Sequence, residues 1–582
     1  MLDALPDIPP IRALDEPPDM HEILSAIKSL KEGKSCGPDG IPGELFKHGG
    51  YLLKRRMHKI VCGLWNDEHI PKAWIDPKII PIYKNKGDKR DCNNSRGLFL
   101  LDVAGKILAR IMLTRLVKHI SEPILSDTQC GFRKDRSTVD MIFSLRQAQE
   151  KCIEQNKNLY IAFIDLTKAF DTVPRELLWR VLSKLGVPNK FLKILQLFHS
   201  NMEASVTIAG SVSSSFPVER GVKQGDVLAP VLFNLYLSIV MSLFLESLRT
   251  EDGVDLEYRL DGSLFNIRRL QAHTKTSVRQ LVDLQYADDA AILSHSPESM
   301  QYTLNRLTSM YKAFGLLVNT SKTEVIVHQT QPDSEMPHFH IDGTELKVVP
   351  FFRYLGSIVS PNTRIDNEVL ERINKASRAF GRLRSKVFQN KHLRLSTKVQ
   401  VYSAVCISTL LYGAESWTYY RSHLKQLEHF HINCLQKILG LSWQDRLPHT
   451  HILDRTNCTS IESLIAQRQL RWVGHVIRMP DDQLPKQILY GQLKDGQRRP
   501  GGPKKRFKDQ VKNTLKKCHI PPANLEAIAN DRTAWKGAVR RGVASLEQER
   551  SAHRNRMRQQ RHARSLARDV DDPQLVCPTC GK

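Results

Sequence analysis

The chain has 582 residues, 41% hydrophobic and 25% charged, an ordinary balance for a folded soluble protein and enough for several domains or one multi-lobed enzyme. Its 86 Lys and Arg against 61 Asp and Glu leave a formal net charge of +25, which disfavours cationic partners and favours a polyanion, although an acidic membrane surface would also attract it. Eleven cysteines, scattered singly except for Cys577 and Cys580, and a start without a secretory signal exclude a disulfide scaffold and point to a reducing, intracellular compartment.

In chain order, residues 1–20 hold Pro6, Pro9, Pro10, Pro17 and Pro18 and read as a linker. Met20 to Leu30 has helical spacing, with Ile23, Ile27 and Leu30 on one face. Gly37 to Gly43 is turn chemistry, and Ile79 to Tyr83 predicts a strand entering a basic loop. Leu100 to Leu116 predicts an amphipathic helix, and Leu159 to Ile164 a strand that ends in Asp165. Residues 203–220 suggest a hairpin with a serine-rich turn. Val227 to Leu245 lacks any charge and is long enough to span a bilayer. Asn234, Ser238 and Ser242 recur every fourth residue along it, however, and Pro230 suits a helix N-terminus, so the reading is a buried helix and no membrane partner.

Val254 to Leu260 and Ser263 to Arg268 flank Asp261-Gly262, a type I′ hairpin signal that Asp342-Gly343 repeats between Phe339–Ile341 and Thr344–Val349. Leu281 to Gln285 and Ala290 to Leu293 predict two strands joined through Tyr286-Ala287-Asp288-Asp289. From about 366 the pattern turns helical, with Ile373, Ala376 and Phe380 on one face. After roughly 481 apolar density falls and cations dominate. A second basic run, Arg550 to Arg568, reads as an exposed helix or a disordered arm.

Two adjacent aspartates at a hairpin tip are costly to hold together unless positive charge sits between them. Asp165, Asp288 and Asp289 on converging strands are what a pair of Mg²⁺ ions needs for in-line phosphoryl transfer, with the Leu166 carbonyl as a further ligand and Mn²⁺ as an alternative ion. The bland alternative makes Asp165 a helix cap and the pair a solvated turn. Six apolar or aromatic residues before Asp165 weigh against it.

The residues around these acids bring a family into view. Phe163-Ile164-Asp165-Leu166-Thr167-Lys168-Ala169-Phe170-Asp171 closely resembles motif A of reverse transcriptases from non-LTR (LINE-type) retrotransposons. Arg220 to Pro230 is similar to motif B, the Tyr286–Asp289 hairpin to motif C, Leu316 to Thr323 to motif D, and Phe352 to Gly356 to motif E. Ile80 to Lys84 and Asn94 to Gly97 resemble the fingers motifs, and the match runs in the family's order from about 30 to 480.

The resemblance implies an α+β right-hand polymerase with fingers, antiparallel-sheet palm and helical thumb, followed by a basic helical extension. Its bounds would be a linker at 1–20, an N-terminal extension and fingers at 21–150, and a palm at 151–360, with the reverse transcriptase domain about 63–360. A thumb at 361–480, a nucleic-acid-binding tail at 481–570 and the start of a zinc finger at 571–582 would follow. It implies nucleotide contacts from Arg96, Phe170 (excluding a 2′-hydroxyl), Gln224, Gly225 and Lys322, with Lys84 or Lys86 assisting, and a primer grip at Tyr354, Leu355 and Gly356.

Ser95 stands where a tyrosine usually precedes the arginine, and Leu98 to Asp102 replaces a more serine-containing stretch. Cys577 and Cys580 are half a zinc site, so Zn²⁺ is expected only if a finger continues beyond Lys582. The chain reads as truncated there and as lacking an upstream endonuclease, which that domain or another protein would supply. Expected partners are template RNA, a DNA primer end and dNTPs, in a nuclear and cytoplasmic ribonucleoprotein. The alternative function is a decayed or domesticated copy that binds nucleic acid without polymerising. An RNA polymerase with a similar palm is opposed by Phe170.

Overall fold

The computed structural model describes residues 7–571 apart from 86, 224, 332–334 and 497–503. One sheet pairs β1 (Lys78–Tyr83) antiparallel with β2 (Ser95–Leu100). Beyond β1 lies β4 (Glu203–Ile208), parallel to it, with the short β5 (Ser211–Val212) and β6 (Phe216–Pro217) folded back on β4 as the serine-rich turn predicts. The central sheet has the order β14–β11–β3–β10–β9, made of β3 (Leu159–Ile164), β9 (Asp283–Tyr286), β10 (Asp289–Ser294), β11 (Glu324–His328) and β14 (Lys347–Val348). Only the β11–β14 pair in that sheet is parallel.

All six residues of β3 are buried, which explains why its sequence is continuously apolar rather than alternating. Its alternation appears instead in which core each side chain joins. Tyr160, Ala162 and Ile164 enter a core shared with the N-terminal helices and the helices Ala229–Glu246 and Pro297–Ala313. Leu159, Ile161 and Phe163 enter a second core behind the sheet, shared with the helix Thr138–Glu154. A third core joins helices between Ile365 and Ile465. The helix Ala229–Glu246 is long and apolar enough to cross a membrane, yet 67% of it is buried in the first core.

Two expectations need correction. The strand β7 (Val254–Tyr258) does not turn back at Asp261-Gly262; it pairs with β8 (Ser277–Leu281), and Ile267–Gln271 form a 3-10 turn. Arg259 grips Asp261 at both carboxylate oxygens, and the Arg269 guanidinium donates to the carbonyls of Asp261 (2.7 Å) and Tyr490 (3.1 Å), drawing the loop onto the far end of the chain. There β17 (Gln492–Leu493) takes the other edge of β7.

The basic stretch expected as a tail from 481 is also partly built into the protein's core. Leu484, Ile488, Phe507, Val511, Leu515, Trp535, Val539 and Leu546 belong to the second core. Several of its cations are spent within the protein: Arg506 bonds Glu154 (2.7 Å) and Asp509 (2.9 Å), and Lys517 bonds Glu462 (2.6 Å). Only the distal part of the helix Arg532–Asp571 matches the exposed-helix expectation, every residue from 555 to 564 being exposed.

Trp535 locks this segment in place. It is 2% exposed, its indole N–H donates to the Leu470 carbonyl (3.0 Å), and Gly474 leaves room for the ring, since a Cβ there would overlap it. Trp535→Ala is expected to cost about 3–5 kcal/mol, read as a lowered urea midpoint of the whole chain rather than as local fraying.

Candidate active site

The strand β10 lies antiparallel to β3 with Ala290 opposite Ile164, so the next step of the same register sets Asp289 opposite Asp165. On its other side β10 pairs with β9, Asp289 facing Tyr286, which leaves Ala287 and Asp288 as a two-residue turn. Ala287 takes φ +57°, a left-handed conformation costly for a residue with a Cβ. The buried Gln129 side chain offsets that cost: its Oε1 accepts from the N–H of Ala287 (2.8 Å) and of Gly131 (2.8 Å), and its Nε2 donates to the Ala287 carbonyl (3.2 Å). A Cβ at Gly131 would overlap the Ala287 backbone, and Asn234 donates to the Gly131 carbonyl (2.6 Å). Sequence reasoning missed Gln129, since no local pattern around it marks the role.

The acids repel one another. Burial first, and Asp165 next among the charges, raises the Asp288 carboxyl, while Arg96 and Lys322 oppose this. Asp289 reaches solvent at its edge, yet crowding by protein, then Asp288, then Asp165 push its carboxyl up to about 6. Asp165 has a direct counter-ion, Lys322 Nζ at 2.8 Å from its Oδ2. Leu166 bridges Val318 through its neighbours, Thr167 N–H to the Leu317 carbonyl and Asn319 N–H to the Asp165 carbonyl, both 2.8 Å. The Leu166 carbonyl therefore faces the opposite edge, where β10 lies.

Among the described residues, no three acidic, His or Cys side chains are gathered closely enough to hold a metal ion. The donor set still fits a hard divalent cation: carboxylate oxygens on adjoining strands, one carboxyl pushed up for want of positive charge.

The other expected residues are placed as follows. Arg96, exposed on β2, acts electrostatically on both Asp288 and Asp171. Lys84 is tied to its own loop through the Asn93 carbonyl (2.9 Å). Phe170 is half-buried, stacked on Phe233 (centroids 4.5 Å apart) with Phe132 edge-on at 6.4 Å. Gly225 has φ +113° and approaches the Phe99 carbonyl so closely that a Cβ would lie 3.0 Å from it. Leu355 (φ +47°) and Gly356 (φ +82°) form the turn between β15 (Phe352–Tyr354) and β16 (Ser357–Val359). Tyr354 itself is buried, and its hydroxyl donates to the Leu284 carbonyl (3.0 Å), so it braces the acidic hairpin from behind. Gln224, Lys86, Cys577 and Cys580 lie outside the described residues.

Lys223 was also not foreseen. It is buried and donates to the carbonyls of Ile75 (2.8 Å) and Phe198 (2.6 Å), anchoring the loop that carries Gly225. Beside that loop a cavity of about 630 Å³ opens against Ile79, Gly97, Phe99, Asp171 and Gly221.

Paired acids at a hairpin tip beside a strand-ending third acid, on a helix-backed antiparallel sheet, define the palm of a nucleic-acid polymerase. Residues 83–359 match the family described as reverse transcriptase (RNA-dependent DNA polymerase). The chain is 24% identical over 441 residues to the RNA-directed DNA polymerase from mobile element jockey of Drosophila melanogaster, covering 73% of this chain and 44% of the relative. It is 23% identical over 411 residues to the probable RNA-directed DNA polymerase from transposon BS of the same fly, covering 69% and 42%. It is 24% identical over 346 residues to the Pol polyprotein of the type-1 retrotransposable element R2 from Popillia japonica, covering 58% and 44%. The chain thus spans less than half the length of these relatives.

A carboxyl held above its ordinary value of about 4 binds its proton more tightly folded than unfolded, so its stabilising contribution is lost as pH rises through about 6. Without divalent ions, Asp289→Asn should therefore melt a few degrees above the unchanged protein at pH 7.5 and level with it near pH 4, by scanning fluorimetry. Added Mg²⁺ should narrow the gap. Gln129→Leu strands the buried N–H and carbonyl of Ala287 and should cost about 1–3 kcal/mol, read as a lowered urea midpoint.

Proposed function

We propose that the whole chain is an RNA-directed DNA polymerase that copies RNA into cDNA from dNTPs. The observation that carries this reading is the placement of Asp165 opposite Asp289, one residue from Asp288. When bound, a pair of Mg²⁺ ions, or Mn²⁺, held by these carboxylates and the Leu166 carbonyl would lower the pKa of the primer 3′-hydroxyl and neutralise the departing pyrophosphate.

The chain's own residues position the rest. Arg96 grips the triphosphate with its planar fork. The Phe170 ring, backed by Phe233, fills the space a 2′-hydroxyl would need. Gly225 admits the template–nucleotide pair against the backbone, with Gln224 beside it. The cavity at Asp171 and Gly221 takes the templating strand, and the Leu355–Gly356 turn holds the primer end. The sheet of β1, β2 and β4 serves as fingers, and the helices after Asp366 as thumb. Exposed arginines beyond residue 555 bind phosphates of RNA or DNA.

The primer is a nicked chromosomal end, and the enzyme works in a nuclear and cytoplasmic ribonucleoprotein. A zinc finger would require ligands beyond Cys577 and Cys580.

In primer extension on an RNA template, the protein should incorporate dNTPs. Asp288→Ala should abolish incorporation while RNA binding persists. If both proteins bind RNA and neither extends the primer, the decayed, nucleic-acid-binding reading prevails. Phe170→Ala should raise ribonucleotide use relative to dNTP use by about 10-fold or more, the discrimination one apolar wall supplies.

A further inference from the structure

We infer that Lys322 is the resident cation of the metal site, holding Asp165 in the ion-free protein and exchanging with a divalent ion when one binds. The inference rests on the reading of Asp165, Asp288 and Asp289 as metal ligands. Among the described residues, the Lys322–Asp165 contact at 2.8 Å is the one ion pair made by any of the three acids.

Chance does not deliver this ammonium. The segment from Leu317 to Thr323 is laced to the end of β3 by Thr167 N–H to the Leu317 carbonyl, Asn319 N–H to the Asp165 carbonyl and Asp165 N–H to Thr323 Oγ1 (3.3 Å). Lys322 begins a residue before Thr323, on the turn closed by its own N–H to the Asn319 carbonyl (3.1 Å). Its backbone is thus fixed beside Asp165, while its four-carbon stem leaves the ammonium free to swing.

The arrangement also accounts for the open ligand set. Asp165 is committed to Lys322, and no three donors are drawn together. A divalent ion brings two charges where the ammonium brings one, so it wins Asp165 when it arrives. The lysine is then released within reach of the triphosphate. One side chain would serve in turn as placeholder and as phosphate contact.

The test is Mn²⁺ binding to the full chain without nucleic acid or nucleotide, followed by electron paramagnetic resonance of the free ion. Lys322→Gln should tighten Mn²⁺ binding by about tenfold, an effect within the Coulomb energy of one charge at contact distance. Lys168→Gln removes the same charge from an exposed position three residues from Asp165 and should change binding far less. Asp165→Asn should erase the Lys322→Gln effect. Equal shifts in the two lysine variants, or none in Lys322→Gln, would overturn the proposal.

A second readout needs no substitution. Brief acetylation of the unaltered protein, read by mass spectrometry, should label Lys322 about threefold faster with Mg²⁺ than without, in the range expected on breaking an exposed ion pair. Labelling of Lys322 that ignores Mg²⁺ also overturns it. Neither measurement requires polymerisation, so a failed primer-extension assay and a failed exchange are told apart.

Discussion

The pairing of β10 with β3 carries the rest of the structure, because it alone brings together acids that lie far apart in sequence. With Ala290 opposite Ile164, the carboxylates of Asp165 and Asp289 stand across one step of a ladder. A slip of one residue would turn Asp289 to the other face of the sheet and dissolve the site. Burial on both faces resists that slip. Tyr160, Ala162 and Ile164 are committed to one core and Leu159, Ile161 and Phe163 to another, so a shifted register would misplace apolar side chains on both sides at once.

Held this way, the site works against the fold that supports it. Like charges are forced together partly out of water, and the Asp289 carboxyl is pushed up to about 6 as a result. The protein answers with local devices rather than with buried counter-charges. Gln129 satisfies the polar groups of the Ala287 turn, Tyr354 ties its hydroxyl to Leu284 behind it, and a single exposed lysine meets Asp165 at the open edge.

Much of this was legible in the sequence where local signals and long-range pairing agree. The run before Asp165, the hairpin of Asp288 and Asp289, the Asp342-Gly343 turn and the apolar helix at 229–246 all stand as their patterns predict. The signal at Asp261-Gly262 failed because Arg259 and Arg269 bind the loop and a distant strand claims β7. The C-terminal region misled for a related reason. Its lysines and arginines are numerous enough to mask a sparse apolar set, Phe507, Val511, Leu515 and Trp535, whose partners run from Leu470 back to Phe143. Gln129 was silent because its task is defined only by a turn it does not adjoin in sequence.

The strand β17 and Trp535 close the second core against β7 and the helix Thr138–Glu154, which were made far earlier in the chain. During synthesis the rear face of the central sheet therefore stays only partly covered until β17 and Trp535 have left the ribosome. The nascent sheet would present an apolar wall for that time, a natural client for chaperones, and its second core would be complete only once those segments had docked.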